Sequence, residues 1–230
     1  MIALYYDPTI ILLLPVILLT LYAQSKVKST YRRYLRVATS KGYTGSEVAR
    51  VMLNNNGLSH VDIEMAPGML TDHYDPRNRV LRLSRDVYLG TAIASNAIAA
   101  HEVGHAIQHE EGYVPLKVRN AIVPLTQIAS NLSWLFIMGG LIFSSLHHLL
   151  TIGIAMFSIA VFFQIITLPV EFDASRRAIE ELEGEGFLEG RELAGGKQVL
   201  DAAALTYIAA TASAMVQLIR LLFIRDRRRS

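Results

Sequence analysis

The sequence predicts a mainly α-helical membrane protein, in which an α+β domain with a small antiparallel sheet is fused to about four transmembrane helices. Three observations carry that expectation. Of 230 residues, 52% are hydrophobic and only 18% charged, and the mean hydropathy is +0.33, which is more apolar surface than a soluble fold of this size buries. The apolar residues are gathered into four segments, 9–23, 122–145, 150–170 and 199–224. Between the first and second lies a stretch of mixed character, 24–121, in which helical and strand periodicities alternate.

Composition also excludes. A net charge of +2 gives no field for nucleic acid, and the bases flank apolar runs rather than forming one basic face. The chain has no cysteine, so disulfides and thiolate metal sites are out, and any metal must be held by nitrogen and oxygen.

Along the chain, "TIILLLPVILLTLYA" (9–23) follows a start without Lys or Arg, so it lacks the layout of a signal peptide and makes residues 1–23 an N-terminal span. Val27, Tyr31, Tyr34, Leu35 and Ala38 then recur at helical spacing among bases, as in an amphipathic helix leaving a membrane surface. Thr44 and Glu47 form a capping box, and the Asn run with Gly57 stops that helix. "VDIEMA" (61–66) and "RVLRLS" (79–84) alternate apolar and polar residues, and the turn chemistry of "HYDPRN" between them predicts an antiparallel pair.

An Ala-rich helix is predicted from Thr91 to Glu111, closed by Gly112 and Pro115. The segments 122–145 and 150–170 are separated only by "LHHL" and are each long enough for a hydrocarbon core of about 30 Å, so 122–170 reads as a transmembrane hairpin. Residues 171–198 are polar, with Gly at 184, 186, 190, 195 and 196, and are expected to hold a helix start and a loop. Residues 199–230 form an apolar helix with the basic tail "RDRRRS".

Lys26, Lys28, Arg32, Arg33 and Arg36 follow the first segment, Lys117 and Arg119 precede the second, and Arg176 and Arg177 follow the third. The positive-inside bias therefore predicts a multi-pass protein of the cell membrane with region 24–121 facing the cytoplasm. Arg225, Arg227, Arg228 and Arg229 oppose this if all four segments cross. Either the last segment lies along the membrane or the tail is an exception.

The chemistry is concentrated in "AHEVGHAIQHE" (100–110). On a helix His101 and His105 share a face, with Glu102 at its edge. Two imidazoles at this spacing clamp one Zn²⁺, and the glutamate reaches the metal-bound water as general base. The neighbouring residues are Ala, Ile, Val and Gly, so without a metal the helix would bury ionisable groups uncompensated. Gly104 removes a side chain beside the metal face, where another element can approach closely.

A catalytic zinc needs a third protein ligand. Residues 112–170 contain no Asp or Glu, which makes Glu171 the best candidate, with Asp173 next as ligand or supporting acid. His109 is one turn past His105 and is read as supporting or surface; His73 could face a cleft; His60, His147 and His148 are read as surface or interfacial.

Four stretches, "DHYDPRNRVLRLS" (72–84), "AIAAHEVGHAIQH" (97–109), "LPVEFDASRRAIEEL" (168–182) and "VLDAAALTYIAA" (199–210), together make the chain resemble the YugP-type membrane zinc metallopeptidases of bacteria. These are gluzincin-like and distantly similar to HtpX-type and CAAX prenyl proteases. The resemblance covers most of the chain. It implies a zincin-like catalytic domain, His101, His105 and Glu171 as ligands of one Zn²⁺, and Glu102 as the base. The wider gluzincin pattern has an Asp four residues after the ligand Glu. Here that position is Ser175, so Ser175, Asp173 or Asp201 could orient a ligand histidine.

The resemblance further implies that "RVLRLS" is an edge strand along the histidine helix, to which a peptide adds as a further strand. Tyr207 is a candidate oxyanion donor. The function expected is a membrane-embedded zinc endopeptidase acting on unfolded or membrane-associated peptide or protein in contact with the lipid bilayer. The alternatives are a non-catalytic zinc-stabilised membrane scaffold and metal-dependent hydrolysis of a non-peptide substrate.

Overall fold

The computed structural model describes residues 8–143 and 146–227, so Arg228 and Arg229 of the tail lie outside the described residues. A 3₁₀ turn, Pro8–Leu12, leads into α1 (Leu13–Tyr34), followed by α2 (Gly45–Asn55), β1 (Asp62–Ala66), β2 (His73–Asp75), β3 (Val80–Ser84) and α3 (Arg85–Tyr88). Next come α4 (Ile93–Glu110), α5 (Val114–Ile142), α6 (His147–Gly184) and α7 (Gly190–Arg227). Among the described residues four helices are long and apolar enough to cross a membrane. The chain divides into two compact units: Met1–Ala23, Val118–Thr167 and Thr206–Ser230 form the first, and Gln24–Lys117 with Leu168–Leu205 the second.

In the first unit α7 runs antiparallel to α6. Thr211 Oγ1 donates to Gln164 O at 3.3 Å, and Leu221 packs with Leu150 and Ile154 farther along both helices. α1 joins them through Thr20 and Ser213, whose hydroxyls are 3.2 Å apart. Close packing within the hairpin depends on glycine: a Cβ on Gly153 would stand 2.8 Å from Ile137 N. The last apolar segment therefore lies alongside the hairpin helices as a fourth candidate span.

The second unit has a protein-buried core that includes Met52, Leu53, Leu81, Val103, Leu182 and Leu188. The capping box forms as the sequence predicts: Thr44 accepts from Glu47 N at 3.2 Å, and the Glu47 carboxylate accepts from Thr44 N at 2.8 Å. Gly57 follows in the left-handed region, with φ +73°.

The sheet differs from the expected antiparallel pair. It is mixed, in the order β1-β3-β2, with β1 parallel to β3 (Glu64 opposite Arg82) and β2 antiparallel to it (Tyr74 opposite Leu81). Part of the predicted turn, His73–Asp75, is itself a strand. Asp75 then organises the remaining turn, accepting from Arg77 N and Asn78 N. β3 is consequently the central strand and not an edge; β2 is the edge beside α4. Charge fits this order, because Arg82 on β3 pairs with Glu64 on one side and Asp75 on the other, at 3.1 and 3.0 Å.

Helix boundaries also differ. α4 does end where expected, at Glu110 with Gly112 in the left-handed region, but Pro115 opens a new helix: it sits in the first turn of α5, where its missing N–H is no loss. α6 is one helix through Pro169, so the apolar segment and Glu171 share a single element. Gly195 and Gly196 lie inside α7 rather than in a loop, and a Cβ on Gly195 would stand 2.7 Å from the Tyr34 ring. The expected segment borders at 121/122, 170/171 and 198/199 all fall within helices.

Candidate metal centre

α4 and α6 bring the chemistry together inside the second unit. Ala94, Ala97, Ala99, Ala100 and Ala106 let α4 be buried on several faces. Gly104 admits the α6 backbone: a Cβ there would lie 2.6 Å from Ala174 O. That approach, one turn beyond Glu171, aligns the two helices so that Glu171 meets the histidine face.

One nitrogen of His101, one of His105 and a carboxylate oxygen of Glu171 lie within 4.8 Å of one another. Glu171 Oε2 is 3.4 Å from His101 Nε2 and 3.7 Å from His105 Nε2, and Glu171 is 2% exposed. The two imidazoles stand edge to face, 4.7 Å between centroids. Two donors each about 2.0–2.1 Å from one tetrahedral zinc stand about 3.4 Å apart, so this N,N,O set fits that ion. Burial disfavours the His105 imidazolium, but the adjacent Glu171 carboxylate, then Glu102 and Gln108, outweigh it and raise the His105 pKa.

Glu102 is buried beside the donor set, and its Oε2 accepts from Tyr74 N on the edge strand at 3.1 Å. Tyr74 also bonds His109, with its hydroxyl 3.0 Å from Nδ1, so His109 ties β2 to α4 and is not among the converging donors. Asp72, just before β2, accepts from Ser84 N at 2.7 Å and from Ser84 Oγ at 3.1 Å. Burial raises the Asp72 pKa against the pull of those hydrogen bonds.

Ser175 Oγ lies 3.2 Å from His101 Nδ1. The Asp173 carboxylate does not join the imidazoles; it accepts from Gln108, Arg176 and Arg177. Asp201 is exposed on α7, and among the described residues neither Nδ1 is bonded to it. Tyr207 is half-buried on α7 and belongs to the first unit. His73 is exposed, with Nδ1 against Thr71 O; His60 pairs with Arg79; His148 is exposed, and the His147 side chain lies outside the described residues.

Two residues of the centre escaped sequence reasoning. Gln108 contacts His105 Nδ1 at 3.1 Å, and its spacing of three from His105 on one helix was the available signal. Tyr74 had no such signal, because its role depends on which strand forms the edge.

Two histidines and a glutamate converging on two helices beside a buried carboxylate, with four membrane-length helices among the described residues, are the arrangement a membrane protein of the zinc-peptidase class requires. Residues 9–226 match the family described as "Putative neutral zinc metallopeptidase", and the chain belongs to that family. It is 48% identical over 206 residues to the "Putative membrane protease YugP" of Bacillus subtilis (strain 168), covering 90% of this chain and 91% of that protein. No solved structure matches.

Proposed function

We propose that this protein is a membrane-embedded zinc endopeptidase in which His101, His105 and Glu171 hold one zinc and Glu102 is the general base. The observation that carries the reading is the convergence of those three donors next to a buried carboxylate. Zinc, when bound, supplies Lewis-acid chemistry that polarises a carbonyl and makes a water acidic. Glu102 takes the proton of the attacking water and delivers it to the leaving amine.

The substrate lies along β2, the strand beside α4, where main-chain hydrogen bonds hold an extended peptide with little side-chain selectivity. Tyr74 N–H, which the Glu102 carboxylate occupies in the structure, is the group that a bound peptide would compete for. Such a mode suits unfolded or membrane-associated chains.

The second unit faces the cytoplasm, because Lys26, Lys28, Arg32, Arg33 and Arg36 follow the first apolar segment, Lys117 and Arg119 precede the second, and Arg176 and Arg177 follow the third, which places these bases on one side. The basic tail is then the exception. Because the natural chain has no cysteine, a single Arg77→Cys label reports the side directly. Labelling by an impermeant reagent in intact cells would reverse the orientation.

The function is tested with purified protein and an unfolded protein substrate. Glu102→Gln should keep its zinc and lose about 10²–10⁴-fold in turnover. Glu171→Ala should lose the metal itself. Wild type that holds one zinc, cleaves nothing and matches Glu102→Gln in every assay would leave the scaffold reading in its place.

A further inference from the structure

The two histidines are supported by different chemistry. His101 Nδ1 faces the Ser175 hydroxyl, which both donates and accepts, so that contact suits either imidazole tautomer. His105 Nδ1 faces Gln108 Oε1, and here the choice is forced. Gln108 is fully buried, and its Nε2 donates to Val170 O at 2.8 Å and to Asp173 Oδ2 at 2.9 Å. Both of those partners are acceptors. A flipped amide would turn its oxygen towards a carbonyl and a carboxylate, so the amide has one orientation.

Asp173 is itself fixed. Its Oδ2 also accepts from Arg177 Nε at 2.7 Å, its Oδ1 pairs with Arg176, and Arg177 Nη2 reaches Glu111 Oε2 at 2.7 Å. A chain of polar contacts therefore runs from Glu111 through Arg177, Asp173 and Gln108 to His105.

We infer that Gln108 is a positioning residue that locks His105 with its proton on Nδ1, so that Nε2, the nitrogen facing Glu171, is committed to the metal before the metal arrives. The inference rests on the proposed His101–His105–Glu171 centre and goes beyond it, because neither motif nor ligand set assigns a role to this glutamine. It makes the two ligands unequal: His105 is preorganised and His101 is not. Partners of this kind are worth about 10–100-fold in metal affinity.

The test uses full-length protein in detergent, labelled with nitrogen-15 histidine and stripped of metal, at a pH where the imidazoles are neutral. His105 is identified by the resonance lost in His105→Ala. In wild type His105 is expected with its proton on Nδ1, and in Gln108→Leu that preference is lost and zinc binds about 10–100-fold more weakly. Gln108→Glu sets a carboxylate against Asp173 and should also weaken zinc. The pair Gln108→Glu with Asp173→Asn restores an acceptor for His105 and a donor for residue 108 on the side of residue 173, leaving only Val170 O without its donor, and should recover part of the zinc affinity that Gln108→Glu loses, as no purely structural role for Gln108 requires.

Wild-type His105 with its proton on Nε2, Gln108→Leu with unchanged zinc affinity, or a double variant no better than Gln108→Glu would each overturn the inference. Failure of the centre itself would show differently, as wild type that binds no zinc.

Discussion

Leu81 and Leu135 are both leucines on regular elements, yet Leu81 is 0% exposed in the second unit and Leu135 is 62% exposed in the first. The second unit closes an apolar core around α2, α4 and the sheet, with protein on every side. Among the described residues of the first unit the packed cluster centres on Leu150, Ile154 and Leu221, while Ile10, Leu18, Ile128, Trp134 and Phe223 remain outside it and exposed. In water such a surface would drive aggregation; in a bilayer it is the solvated face. Exposure alone therefore does not say whether a residue is stabilising, and the environment that takes up the surface decides its sign.

The largest break in this comparison is expected at the protein-buried leucine. Leu81→Ala removes side-chain volume from the central strand beneath α4 and should destabilise the second unit by about 2–5 kcal/mol. Thermal unfolding in detergent, followed with zinc release, measures it; a shift no larger than that of a surface alanine would mean that the core is not closed as described.

Next comes a charge on equally exposed residues. Met69 is also 62% exposed, but on the loop after β1. Leu135→Arg should cost about 3–4 kcal/mol of membrane insertion. Met69→Arg should stay within about 0.5 kcal/mol of wild type in stability. Glycosylation-tagged insertion assays and melting curves separate the two, and equal tolerance would remove the membrane role of α5.

The smallest effect concerns pH. Residues 112–170 contain no carboxylate, so acid-range titration belongs chiefly to the second unit. Burial raises the Asp72 pKa, so the folded state binds this proton more tightly than the unfolded one. Stability from this group is then lost as pH rises from the ordinary aspartate range through the folded value. Asp72→Asn keeps an acceptor for Ser84 N–H and should flatten that decline. A stability profile of Asp72→Asn superimposable on wild type between pH 3 and 6, roughly the range of a shifted aspartate, would refute it.

Much of this architecture was legible because its signals are local. The capping box at Thr44 and Glu47, the apolar segments and the i, i+4 spacing of His101 and His105 each depend on residues within a few turns of one another. Glu171 was reachable by elimination, since an acid-free stretch of sequence left it as the first carboxylate to meet the histidine face. Asp173 and Ser175 were named, but one lies behind Gln108 and the other beside His101, a distinction that sequence spacing does not contain.

What the sequence determined by itself was periodicity and chemical type: which stretches are helical and apolar, and which side chains can bind a metal. Tertiary structure decided the pairings. β3 became central, with Val80, Leu81 and Leu83 buried and Arg82 meeting acids on both neighbouring strands, and α6 approached α4 where Gly104 has no Cβ. Gln108 gained its partners only when Val170 and Asp173 arrived from a segment more than sixty residues away. Local spacing follows from helix and strand geometry, whereas strand order, close approach and the direction of a buried amide depend on atoms that meet only in the folded chain.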